Sequence, residues 1–144
     1  MKIQRIDHVG IVVNDLLAAK EFFLTLGLDV LCEGEVEGDL VDRVVGLDGV
    51  KSAMVTMGTP DGEATIELVK FHTPSDEHGT QPSLSNTPGI RHIAFAVEGI
   101  EDLVAKLKTA GAEPFGEIQN YQNIYKLCCI RGPEGIILEL AEKL

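Results

Sequence analysis

Two short runs of the chain alternate bulky and small side chains with a period of two. In residues 8–13, His8, Gly10 and Val12 fall on one face of a strand and Val9, Ile11 and Val13 on the other. In residues 92–97, His92, Ala94 and Ala96 oppose Ile93, Phe95 and Val97. After a short polar joint each run changes to a helical period of about 3.6 residues. Leu16, Ala19, Phe22, Phe23 and Leu26 form the first apolar stripe, and Ile100, Leu103, Val104 and Leu107 the second. Lys106 and Lys108 lie off the stripe. Asn14 or Asp15 suits the first N-cap, Gly27 the position just past its end, and Gly111 closes the second helix.

These stretches are two copies of one unit. His8 and His92 stand 84 residues apart, and so do Gly27 and Gly111. After each helix come three strand candidates: "DVLCEGEV", "KSAMVTMG" and "EATIELVKF" in the first copy, "EPFGEIQ", "IYKLCCIR" and "GIILELAE" in the second. Turn signals P-D-G at 60–62 and G-P-E-G at 132–135 separate the later ones. Each copy therefore reads β-α-β-β-β. Phe71 to Pro88 is polar and rich in Pro, Ser and Thr, so residues 71–89 read as the linker between modules 1–70 and 90–144 of one domain spanning 1–144. The class is α+β.

The last strand of each copy carries a carboxylate in an apolar setting: Glu67 between Ile66 and Leu68, and Glu139 between Leu138 and Leu140. A carboxylate removed from water needs a partner or a metal. By alternation Glu67 faces the same way as Thr65 and Val69, and Glu139 the same way as Ile137 and Ala141. Each histidine likewise shares its face with small residues, which fits the lining of a concave space. If first and last strands lie together, each copy offers one His/Glu couple. Two copies related by a pseudo-twofold would then assemble four donors. One such histidine is more often structural than a ligand; two at equivalent positions favour ligation.

Composition narrows the rest. The chain has 144 residues, 44% of them hydrophobic, enough for a globular core. No apolar window approaches the ~18 residues of a membrane span. The N-terminal stretch lacks a signal-peptide pattern, so a cytoplasmic protein is expected. Net charge is −11 with no basic cluster, which disfavours nucleic acid and anionic membranes as partners. Cys32, Cys128 and Cys129 form no C-x-x-C motif and read as small core residues in a reducing compartment. His72 and His78 read as solvated. Tyr121 and Tyr125 could line a pocket or pack at an edge. Arg5, Arg43, Arg91 and Arg131 read as surface residues, each able in principle to hold an anionic group.

The pieces "DHVGIVV", "EFFLTLGLDV", "IELV", "IRHIAFAV" and "GPEGIILELAE" together resemble the vicinal oxygen chelate superfamily. That family includes glyoxalase I, methylmalonyl-CoA epimerase, extradiol dioxygenases and bleomycin- and fosfomycin-resistance proteins. The resemblance covers nearly the whole chain. It implies paired βαβββ modules in a cupped mixed sheet around a divalent metal, with His8, Glu67, His92 and Glu139 as ligands. Two imidazoles and two carboxylates suit Ni, Co, Zn, Mn or Fe(II), and four ligands leave two positions of an octahedral ion for adjacent substrate oxygens. By the same resemblance the protein is a glyoxalase-like lyase or isomerase moving a proton next to a metal-bound carbonyl. Glu139 is its base and Glu67 the alternative. The partner is a small molecule, and a homodimer is expected.

Two other functions compete. The interval from Glu67 to His92 is 25 residues, which looks more like the epimerase, although the epimerase usually has Gln as its second ligand. A drug- or metabolite-sequestering protein of the bleomycin-resistance type suits an acidic chain. Such binders use aromatic walls and usually lack the metal set, whereas this chain has no Trp and only 5% aromatic residues.

Overall fold

Of the two residues suited to the first N-cap, Asn14 and Asp15, it is Asp15 that starts the helix. Its carboxylate accepts the Ala18 N–H at 2.9 Å, and Gly27 ends the helix in the left-handed region at φ 116°. The structure, a computed structural model, describes residues 1–81 and 83–144. It divides into two units, Met1–Thr80 and Gln81–Leu144.

In the first unit β1 (His8–Val12) leads into α1 (Leu16–Leu26), then β2 (Asp29–Glu37), α2 (Asp39–Val45), β3 (Lys51–Gly58) and β4 (Thr65–Thr73). The sheet order is β1-β4-β3-β2, with β1 parallel to β4 and the other neighbours antiparallel. Helix α1 packs on β3 and β4. Ala19, Phe22 and Phe23 from the helix, with Val55, Met57, Ile66 and Leu68 from the sheet, form its core. The two phenylalanine rings meet edge to face, 5.6 Å between centroids. Strand β4 continues to Thr73, three residues into the stretch expected as linker.

Helix α2 has no counterpart in the expected element order. Its apolar residues Leu40, Val44 and Val45 are exposed, so no buried stripe announces it. Gly38 and Gly46, both at positive φ, bracket it. The Asp42 carboxylate accepts the Gly49 and Val50 N–H groups at 2.9 and 2.8 Å, which ties the following loop to the helix.

The second unit runs β5 (His92–Ala96), α3 (Ile100–Thr109), β6 (Glu113–Pro114), β7 (Gln119–Tyr121), β8 (Tyr125–Arg131) and β9 (Ile137–Lys143). Its sheet order is β5-β9-β8-β6, with β7 also paired to β8, and β5 is parallel to β9. The expected strand "EPFGEIQ" is thus two short strands, β6 and β7, laid along the same neighbour. Ile100, Val104 and Leu107 of α3 pack with Cys128, Ile130, Leu138 and Leu140 in the core. The fold is α+β, each unit carrying one mixed sheet. Among the described residues no helix is long and apolar enough to cross a membrane.

Helix α3 begins at Gly99, which has no side chain to cap it. The cap comes from the sheet instead. Glu142 of β9 accepts the Gly99 and Ile100 N–H groups at 2.5 and 3.3 Å. Replacing Glu142 with Ala should cost about 1 kcal/mol, the usual value of a lost N-cap. A lowered urea midpoint with loss of amide protection confined first to residues 99–103 would register it. Unchanged protection there would refute the capping role.

Candidate functional site

The parallel pairing of first and last strands decides where the histidines and glutamates sit. In the first unit His8 pairs with Thr65 and Gly10 with Glu67. Paired residues point to the same side, so His8 and Glu67 share the face opposite α1, on adjacent strands and two residues apart along them. The cross-sheet row through Glu67 is Gly10, Glu67, Thr56 and Cys32. Gly10 leaves open space beside the carboxylate: a Cβ built there meets nothing within 4 Å. On the row of His8, Leu31, the extra residue of a bulge in β2, lies over Gly58, and its Cδ1 is 2.9 Å from where a Gly58 Cβ would be.

The second unit repeats the arrangement. His92 pairs with Ile137 and Ala94 with Glu139. His92 Nε2 and Glu139 Oε2 are 3.6 Å apart, too far for a good hydrogen bond. Two donors holding one ion through bonds of ~2.1 Å at 90–110° stand roughly 3–3.5 Å apart, so the spacing and the donor types suit a shared divalent cation. Cys129 is directly across from Glu139. Burial, and then the Glu139 carboxylate, push the Cys129 thiol above its ordinary range.

Neither unit is a complete cage. Among the described residues no three of His, Cys, Asp and Glu within a unit converge as a metal cluster. Each unit sets one histidine and one glutamate on a common face of its sheet: His8 with Glu67, and His92 with Glu139.

One contributor went unrecognised in the sequence. Asp7 Oδ2 lies 2.9 Å from His8 Nδ1. A carboxylate only accepts, so in the neutral ring Nδ1 carries the proton and Nε2 keeps the free lone pair. The signal was the adjacent acid in "DHVG". This hydrogen bond, with a smaller contribution from the charge of Glu67, favours the protonated ring and raises the His8 pKa above its ordinary value of 6.5. Hydrogen bonds from His8 and then Arg5 hold Asp7 below its own. The second unit has Arg91 at the equivalent place and no such acid.

The remaining candidates separate cleanly. His72 Nε2 meets Glu35 at 3.1 Å on the helix side of the first sheet, and His78 Nδ1 meets Asp76 at 2.9 Å; both rings are exposed. Tyr121 and Tyr125 face each other across the β7–β8 hairpin, largely exposed. Cys128 is a core residue as expected. Cys32 is not: it is exposed on the edge strand β2. Arg5 pairs with Asp7 at 3.2 Å, whereas Arg131 is half-buried on the same face as Glu139 rather than at the surface.

Comparison with known proteins identifies the family and the fold. The family model described as Glyoxalase/Bleomycin resistance protein/Dioxygenase superfamily matches residues 5–140. The crystal structure of a glyoxalase family protein from Bacillus cereus superposes with a TM-score of 0.93 at 42% identity, covering 100% of this chain and 97% of that one. A glyoxalase family protein from Enterococcus faecalis superposes with a TM-score of 0.68 at 27% identity, over 99% of this chain and 100% of that one. The uncharacterized protein YwbC of Bacillus subtilis (strain 168) is 29% identical over 97% of this chain and 98% of its own length.

The Asp7–His8 contact has a pH signature. His8 is raised, so its share of stability is present below the unfolded value near 6.5 and is lost as pH rises through the folded value. Asp7 is lowered, so its share is present above the unfolded value near 3.8 and is lost as pH falls through the folded value. In metal-free protein the His8 ring should titrate above 6.5 by NMR, and Asp7→Asn should bring the midpoint down. An unmoved midpoint would remove Asp7 as its partner.

Proposed function

The chain belongs to the glyoxalase/bleomycin resistance protein/dioxygenase superfamily, and from that premise we propose that it is a divalent-metal-dependent, glyoxalase-like lyase or isomerase. It moves a proton on a carbon next to a carbonyl of a small-molecule substrate. The ligands are His8, Glu67, His92 and Glu139, one couple from each unit, and the working assembly is a homodimer. The observation that carries the reading is the His92–Glu139 spacing of 3.6 Å, with the same His/Glu placement repeated on β1 and β4.

When bound, the metal supplies Lewis-acid polarisation of adjacent substrate oxygens. The chain's own residues do the rest. Asp7 fixes the tautomer of His8, so that Nε2 is offered without a proton. Small neighbours, Gly10 beside Glu67 and Ala94 beside Glu139, leave room over both carboxylates. Glu139, half-buried at 31% side-chain exposure, takes the proton at one carboxylate oxygen and returns it at the product carbon. Glu67 is the corresponding group of the other half.

Two sets of variants test this. His8→Ala or His92→Ala should abolish stoichiometric Ni, Co, Zn, Mn or Fe(II), and chelation should lower the melting temperature of the wild-type protein. Unchanged metal content in both variants would dismantle the ligand set. Glu139→Gln should keep metal better than either but lose about a hundredfold or more in turnover, because the amide can ligate yet cannot accept a proton. Deuterium uptake beside the carbonyl is the readout, first with 2-oxoaldehyde hemithioacetals and then with 2-methyl-branched acyl-CoA thioesters. Metal-loaded protein that exchanges no proton in either class but binds a cationic drug tightly would establish sequestration instead.

A further inference from the structure

Arg131 ends β8 on the face that carries His92 and Glu139. The row across the second sheet reads His92, Ile137, Arg131, so the arginine and the histidine flank one intervening strand. Two strand spacings separate their backbones, about 10 Å, and both side chains rise from the same side. Ile137 between them is buried at 3% exposure and forms an apolar floor.

The guanidinium is held in place without being neutralised. Nη1 donates to the carbonyls of Ser83 and Gly135 at 3.1 and 3.3 Å. The Phe115 ring lies under the guanidinium carbon, 4.9 Å from its centroid. Among the described residues no carboxylate pairs with it, in a chain with 23 acidic residues against 12 basic ones, although Arg5, Lys20 and Lys126 each have one. Among the described residues its Nε and Nη2 also lack protein acceptors; both of its side-chain hydrogen bonds run from Nη1. Arg91 Nε is the one buried side-chain nitrogen or oxygen without a partner among the described residues, so those two Arg131 donors are not sealed from solvent. An arginine whose plane is fixed by stacking, with one nitrogen tied to carbonyls and an open two-donor edge, is prepared for bidentate contact with a carboxylate or similar oxyanion.

We propose that Arg131, oriented by Phe115 and the Ser83 and Gly135 carbonyls, is an anion subsite beside the His92–Glu139 couple, and that the substrate is a small molecule bearing a carboxylate or similar oxyanion a few bonds from the oxygens the metal would chelate. This deepens the proposed function and rests on it for the chelating end only; the anion end stands on Arg131 alone. Arg131 is then a specificity residue that selects among compact anionic carbonyl compounds and positions the reacting carbon over Glu139. A neutral substrate, or one whose charges lie at the far end of a long carrier, would leave that edge unsatisfied.

Two titrations separate the parts. In metal-free protein, succinate at constant ionic strength should shift the Arg131 Nε–H resonance saturably in the millimolar range, whereas neutral succinamide should not. Arg131→Gln should abolish the binding. Arg131→Lys, which keeps the charge but not the fork, should weaken it severalfold. Absence of a saturable succinate response overturns the subsite whatever the metal does. In nickel-loaded protein, N-hydroxysuccinamate, a hydroxamate with a carboxylate tail, should bind about tenfold tighter than acetohydroxamate. That preference should fall below twofold in Arg131→Gln, with acetohydroxamate affinity unchanged. A preference that survives the substitution overturns the proposal, and so does a variant that loses thermal stability but keeps the preference, which would make Arg131 a turn brace. If succinate binds but neither hydroxamate does, the subsite stands and the metal reading falls.

Discussion

The candidate chemistry depends on one constraint: the first strand of each unit lies parallel to its last, in a fixed register. That ladder places Gly10 opposite Glu67 and Ala94 opposite Glu139, and so sets each glutamate one strand over and two residues along from its histidine. A slip of one residue would turn either glutamate into the helix-side core, where Leu68, Leu138 and Leu140 are fully buried. The apolar face therefore guards the polar one. The burial that stabilises the fold also enforces the pairing on the exposed side, at no cost in buried charge.

Periodicity made much of this legible. Alternation in residues 8–13 and 92–97 assigned faces, and the repeat offset of 84 residues assigned equivalence. What stayed illegible arose from contacts between distant parts of the chain. Helix α2 has exposed Leu40, Val44 and Val45 where an amphipathic helix would bury a stripe, and it is held by glycines and by Asp42 reaching Gly49 and Val50. The cap of α3 comes from Glu142, 43 residues ahead of Gly99, which no local motif announces. Arg131 read as a surface residue because its place on the Glu139 face follows from strand pairing, which composition does not encode. Cys32 read as core because cysteine usually is, but the edge strand leaves it open.

The two halves are alike in backbone and different in dressing. His8 has Asp7 behind it, whereas His92 has Arg91 in that position. Glu67 is flanked by Thr56, and Glu139 by Cys129. α1 is capped from within its own sequence and α3 from the sheet. Such differences give two geometrically matched carboxylates unequal surroundings, the condition under which like groups take unlike acid–base roles.

The α2 excursion has a bearing on how the chain can be altered. His8 and Glu67 are 59 residues apart and His92 and Glu139 only 47, yet both couples have the same register. Since the helix-closing glycines match, the excess falls after the first helix, and most of it is spent between β2 and β3, at residues 38–50. The ladder is indifferent to chain length there. A reporter domain could be spliced into that loop, or new termini opened in it, while the strands that align the two couples keep their partners.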